Sequence, residues 1–100
     1  MVKNKEMICQ NALEDVLMTE FSKTMFSLDG YDEDAVCLKK DNDQWEVYIG
    51  NRGQKNERMV FDNIVAACLG VIQLLTPFNE PLRARLNNMF VSAVIPDKIA

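Results

Sequence analysis

Three apolar segments in the middle of the chain follow one another with only short polar connections. They cover residues 35–39, 44–49 and 58–61. Within the second segment Trp45 and Val47 occupy alternate positions, which places them on one face of a strand and predicts Trp45 as a core residue. The connections are too short for the crossover helix that parallel strands need, so neighbouring strands are predicted to be antiparallel. With an edge strand at 24–28, the sequence predicts a meander of three to four strands over 24–61.

A helix is predicted before the meander. Apolar residues recur at helical spacing from Cys9 to Phe21, which predicts a first helix over 5–22. Glu20 falls on the apolar stripe of this helix near its end. It can extend to solvent there, pair with a base or serve a site.

Two more helices are predicted after the meander. Asp62 is the predicted N-cap of a helix over 63–76, which ends before Pro77, and a further helix is predicted over 80–92. The helix over 63–76 is apolar almost all round, so we expect it to be covered on more than one side.

These elements predict one α+β domain over residues 1–100, with the helices packed on one face of an antiparallel sheet. The other face of the sheet is then open to solvent or to a partner. Alternation from Trp45 places Glu46 and Tyr48 on that open face.

Charge and composition exclude several classes of function. The 100 residues carry a net charge of −4 and no histidine, which disfavours nucleic acid as a partner and removes the commonest general base and metal ligand. Cys9, Cys37 and Cys68 form no paired framework and are predicted to be free thiols in a reducing compartment. The N-terminal segment lacks the apolar run of a signal peptide, and the longest apolar stretch, 64–72, is too short for a membrane helix of about 20 residues. The sequence therefore predicts a cytoplasmic protein with no membrane partner.

Acidic residues concentrate in one part of the sequence. Residues 29–46 hold seven acids against two lysines and carry a net charge of −5. The acids are Asp29, Asp32, Glu33, Asp34, Asp41, Asp43 and Glu46. Their spacing lacks the register and distal glutamate of a calcium loop, and no metal or cofactor is expected. One end of the sheet is predicted to be acidic.

A set of short motifs in the second half of the chain resembles a known family. The motifs are Trp45-Glu46-Val47-Tyr48, Asn51-Arg52-Gly53, Phe61-Asp62 and Ala67-Cys68. This pattern resembles small bacterial immunity proteins of polymorphic-toxin and contact-dependent growth inhibition systems, although Asn51 stands where that family has a glutamate. The resemblance implies a protein that is not an enzyme and that binds the C-terminal domain of a cognate toxin.

The functional prediction combines this resemblance with the charge pattern. Many delivered toxins are nucleases with basic clefts, so an acidic surface can occlude such a cleft and accelerate association. The predicted partner-binding residues are Asp32, Glu33, Asp34, Asp41, Asp43 and Glu46. The alternative is a structural or adaptor subunit that forms a homodimer through its apolar C-terminal helices.

Overall fold

The computed structural model describes residues 4–95. Over this range the chain forms an N-terminal helix, a four-stranded sheet and two C-terminal helices, which confirms the predicted α+β class. The helices are α1 (Lys5–Leu17), α2 (Ile64–Leu75) and α3 (Glu80–Val94), and the strands are β1 (Phe26–Ser27), β2 (Val36–Asp41), β3 (Gln44–Asn51) and β4 (Gln54–Phe61). A single 3₁₀ turn over Lys23–Met25 precedes β1.

Helix α1 is shorter than predicted. The Asn4 side chain caps it by accepting a hydrogen bond from the Met7 amide at 2.7 Å. The helix ends at Leu17 rather than at residue 22, because the Thr19 hydroxyl donates to the Val16 carbonyl and the next amides tighten into a turn. Glu20 lies in this turn and forms an ion pair with Arg85 of α3 at 2.8 Å, which is one of the three roles considered for it.

The sheet has the order β1-β2-β3-β4, with antiparallel pairing from β2 to β4. The prediction that all neighbouring strands are antiparallel is wrong for β1, which pairs in parallel with β2 through two residues, Phe26 and Ser27. Eight residues, 28–35, connect the two strands without a helix. The Gly30 amide bonds to the Leu38 carbonyl, and the chain then returns so that the Asp34 amide bonds to the Gly50 carbonyl. A crossover helix is unnecessary because so little of β1 is paired.

Helix α2 is the centre of the core. It packs on the sheet with one side and against α1 and α3 with the others, so its apolar surface is covered within the chain. Trp45, which is 4% exposed, belongs to this core as predicted. The N-cap of α2 is Asn63, whose side chain accepts from the Ala66 amide, whereas Asp62 accepts from the Gln44 side chain. Helix α2 approaches β4 closely at Gly70, where a Cβ atom would lie 2.8 Å from the Phe61 ring.

The opposite face of the sheet is covered rather than open. Alternation correctly places Tyr48 on this face, together with Cys37, but both side chains are buried. The loop over residues 28–35 folds back so that Tyr31 stacks on Tyr48, with ring centroids 6.3 Å apart. The prediction of an open second face is therefore wrong around Tyr48.

Within residues 4–95, none of the helices combines the length and the apolar character needed to cross a bilayer.

Candidate functional site

The acidic residues predicted to form one surface lie at two ends of the sheet. Asp34 adjoins Gly50 at the end where β3 turns into β4, whereas Asp41 pairs with Gln44 at the end where β2 turns into β3. We call these the β3–β4 end and the β2–β3 end. They are about 17 Å apart, because the five residue steps of β2 each rise about 3.3 Å. The prediction of one acidic end is wrong, since extended backbone carries residues that are close in sequence far apart.

Glu46 is not an exposed carboxylate. Glu46 is only 4% exposed to solvent. Its two carboxylate oxygens accept hydrogen bonds from the Lys55 ammonium at 2.8 Å and from the Arg58 Nε at 2.7 Å. The Lys55 hydrogen bond is the main cause that lowers the pKa of Glu46, and Arg58 adds to it, while burial acts in the opposite direction. The prediction that Glu46 lies on an exposed acidic surface is wrong, because two cations from β4 cover and neutralise it.

Glu33 fixes the turn between β3 and β4. Its carboxylate accepts hydrogen bonds from the Arg52 amide at 2.6 Å and the Tyr31 hydroxyl at 2.5 Å. Arg52 and Gly53 both have positive φ, 55° and 73°, as a two-residue type I′ hairpin requires. Such a φ is uncommon for arginine, so the hydrogen bond from its amide to Glu33 helps to hold the turn. These contacts, the Tyr31 one first, lower the pKa of Glu33.

Asp32 and Asp34 flank Glu33 and are held by different contacts. The Asp34 carboxylate accepts from the Asn51 side chain at 2.9 Å, and Asp34 has a φ of 60°. The Asp32 amide donates to the Cys37 thiol at 3.3 Å. Both residues are exposed, and within residues 4–95 neither carboxylate has a lysine or arginine within ion-pair distance. We call residues 31–34 the acidic loop.

The other two predicted residues, Asp41 and Asp43, are exposed at the β2–β3 end. Asp43 borders a shallow groove in which charges of both signs meet, since Lys5 and Asp62 also line it. Lys40 lies in the same groove and pairs with Glu6 at 2.7 Å. This end is therefore more mixed in charge than the acidic loop.

The thiols are not placed for nucleophilic chemistry. Cys9, Cys37 and Cys68 are free and buried. Burial raises the pKa of each of them, and it raises that of Cys68 to about 12. A thiol acts as a nucleophile in its thiolate form, so these side chains are protonated and inert near neutral pH.

Sequence reasoning missed four residues that shape the surface. Lys55 and Arg58 cover Glu46, Tyr31 covers Tyr48, and Phe78 is fully exposed between α2 and α3. Alternate positions in β3 and β4 could have suggested a cross-strand charge pair at Glu46. The predicted helices over 63–76 and 80–92 place Phe78 in the connection between them, which is the signal that could have indicated its exposure.

Five apolar residues of the motifs that resemble the immunity family lie together in the fold. Trp45, Val47, Ala67 and Cys68 are buried in one core, and Phe61 packs against it. Comparison of the chain with family models, with curated proteins and with solved structures finds no match.

Proposed function

We propose that this protein is a cytoplasmic bacterial immunity protein that binds and neutralises the C-terminal domain of a cognate toxin. The observation that carries the proposal is the acidic loop, in which Asp32 and Asp34 are exposed, lack an ion pair over residues 4–95, and lie on backbone held by Glu33 and the hairpin. The motifs that resemble immunity proteins support this functional class.

The proposed mechanism is occlusion. A nuclease toxin has a basic cleft to hold phosphates, and fixed carboxylates opposite such a cleft raise the association rate by long-range attraction. Binding then covers the cleft without any chemistry by the immunity protein. Because the loop is already held in place, little conformational entropy is lost when it binds.

The acidic loop, rather than all six predicted residues, is the proposed contact. Asp32 and Asp34 meet the toxin, while Glu33 positions the loop and the hairpin. Asp41 and Asp43 lie at the β2–β3 end, so they contribute through overall charge and not through contact. Substitution of Asp41 and Asp43 is therefore a matched control for substitution of Asp32 and Asp34.

The test compares two double variants with the same change in net charge. Asp32→Asn/Asp34→Asn removes two exposed carboxylates of the loop and keeps Glu33, and asparagine tolerates the positive φ at position 34. Asp41→Asn/Asp43→Asn removes two carboxylates from the other end. The association rate with a candidate toxin domain, taken from a gene that neighbours this one, is measured at several salt concentrations, together with protection of cells that express that domain.

We expect the loop variant to associate about tenfold more slowly at low salt, with a weaker salt dependence and poorer protection. The control variant should stay close to wild type. Equal effects of the two variants would contradict a local contact. A wild-type protein that neither binds the toxin nor protects cells would contradict the immunity function itself, and a stable homodimer in that case would favour the adaptor alternative.

A further inference from the structure

Phe78 is the most exposed large apolar side chain described on this surface. It is 99% exposed, whereas Phe26 and Phe90 are buried and Phe21 and Phe61 are half-buried. Isolated apolar side chains are common on protein surfaces, but phenylalanine is seldom left without any contact. Its ring offers a large apolar area at a small cost in side-chain entropy.

The turn that carries Phe78 is held by several hydrogen bonds. The buried Thr76 hydroxyl donates to the Ile72 carbonyl at 2.7 Å, and the Arg83 guanidinium donates to the Thr76 carbonyl at 2.5 Å. On the other side of Phe78, the Asn79 side chain caps α3 by accepting from the Leu82 amide. The backbone on both sides is therefore fixed, which sets the position of the Phe78 Cα atom. Binding through such a residue needs little ordering of the turn.

Chain direction places this turn at the β3–β4 end of the molecule. Strand β4 runs away from that end, and α2 begins at the β2–β3 end, where Asn63 and Ile64 line one groove with Asp43. Helix α3 ends near the start of α2, since Val94 and Val65 line another groove together. The residues after α2 therefore lie at the same end as the acidic loop, in the helical layer instead of over the outer face of the sheet. The Glu20–Arg85 pair links the end of α1 to the start of α3 at this end as well. Exposed carboxylates and an exposed aromatic ring thus share one end of the protein.

We propose that Phe78 is the apolar anchor of the toxin complex and that it inserts into an apolar socket on the toxin domain. This inference rests on the proposed function. Protein interfaces commonly bury one or two aromatic side chains at their centre and place charged groups around them. Phe78 fills the first role, and Asp32 and Asp34 fill the second against a basic surface. The partner is accordingly a basic domain with an apolar depression beside its cleft.

The experiment measures binding of the same toxin domain to Phe78→Ala and to a matched control, Met7→Ala. Met7 is 49% exposed near the start of α1, at the β2–β3 end, where its neighbour Glu6 pairs with Lys40. Both substitutions remove an exposed apolar side chain, and both variants should unfold at the wild-type denaturant concentration. We expect Phe78→Ala to weaken binding about 30-fold, mainly through faster dissociation, and Met7→Ala to change it less than threefold. Phe78→Tyr keeps the ring and should retain most of the affinity.

The outcomes separate the anchor from the function. If wild type binds and Phe78→Ala binds equally well, the anchor is overturned and the immunity function stands. If wild type does not bind and does not protect cells, both are overturned. Sedimentation of the protein alone tests whether Phe78 instead contacts a second copy of this chain. If the protein self-associates, and Phe78→Ala abolishes that self-association without changing toxin binding, Phe78 belongs to a homodimer and the anchor is overturned.

Discussion

The buried carboxylate of Glu46 gives the sharpest stability prediction. Glu46→Gln keeps the shape of the side chain but removes its charge, so the ion pairs with Lys55 and Arg58 are lost. The new amide group also places a donor where the carboxylate accepted. Lys55 and Arg58 stay charged in the variant, but the amide has one acceptor oxygen where the carboxylate has two. One of the two cations therefore loses a charge-assisted hydrogen bond, which contributes about 1.5–3 kcal/mol. Both cations are half-exposed and can turn to water, which limits the loss. We expect the free energy of unfolding to fall by about 2 kcal/mol at pH 7.

The same interaction predicts a pH dependence with a definite sign. Folding lowers the pKa of Glu46 below its ordinary value of 4.5. At pH values near and just below about 4.5, the unfolded chain therefore binds more protons than the folded protein. The stabilisation is therefore fully present above pH about 4.5 and is lost as the pH falls through the lower folded-state pKa. Glu46→Gln lacks this titration. The difference in stability between wild type and variant should shrink as the pH falls below about 4.5.

The assay is urea unfolding at a series of pH values, followed by the fluorescence of Trp45. Asp43→Asn is the control, because it removes an exposed carboxylate from the turn between β2 and β3 and should change stability by less than about 0.5 kcal/mol. A Glu46→Gln cost below about 0.5 kcal/mol at pH 7, or a difference that does not narrow in acid, would refute the argument that the two cations stabilise a buried charge.

Three further outcomes follow from the core and the loop. Trp45→Ala should lower the free energy of unfolding by about 3–5 kcal/mol in a denaturant titration, because it leaves a cavity beneath α2; a cost below about 1 kcal/mol would contradict its place in the core. Intact-mass measurement should find three alkylated cysteines in denaturant and far slower labelling of the folded protein, since Cys68 and the other thiols are buried; a disulfide would contradict this. Glu33→Ala removes the acceptor for the Arg52 amide, so hydrogen exchange of that amide, measured by NMR, should accelerate at least tenfold. An unchanged exchange rate would show that Glu33 does not hold the hairpin.

Local pattern alone was enough for much of the fold. Alternation in β3 assigned Trp45 and Val47 to the helical side of the sheet and Tyr48 to the other, because successive side chains of a strand point to opposite faces whatever surrounds them. Helical spacing of apolar residues located α1 and α3, and an N-cap candidate followed by an apolar run that ends at Pro77 located α2. The exact ends escaped this reasoning: α1 stops at Leu17 because a side-chain hydrogen bond at Thr19 favours a turn over another helical residue.

Burial, ion pairing and the distance between acidic residues depend on neighbours that are distant in sequence, so only the tertiary structure decided them. The sequence predicted which face Glu46 occupies, but its burial follows from Lys55 and Arg58 on the next strand. The sequence also showed a run of acids, but β2 separates Asp34 from Asp41 along its length and so divides them between two ends. The sequence placed Phe78 between two helices, and only the structure showed that this apolar side chain is left exposed there. Periodicity reports a side chain's direction, whereas burial and charge pairing are sums over contacts that exist only after the chain has folded.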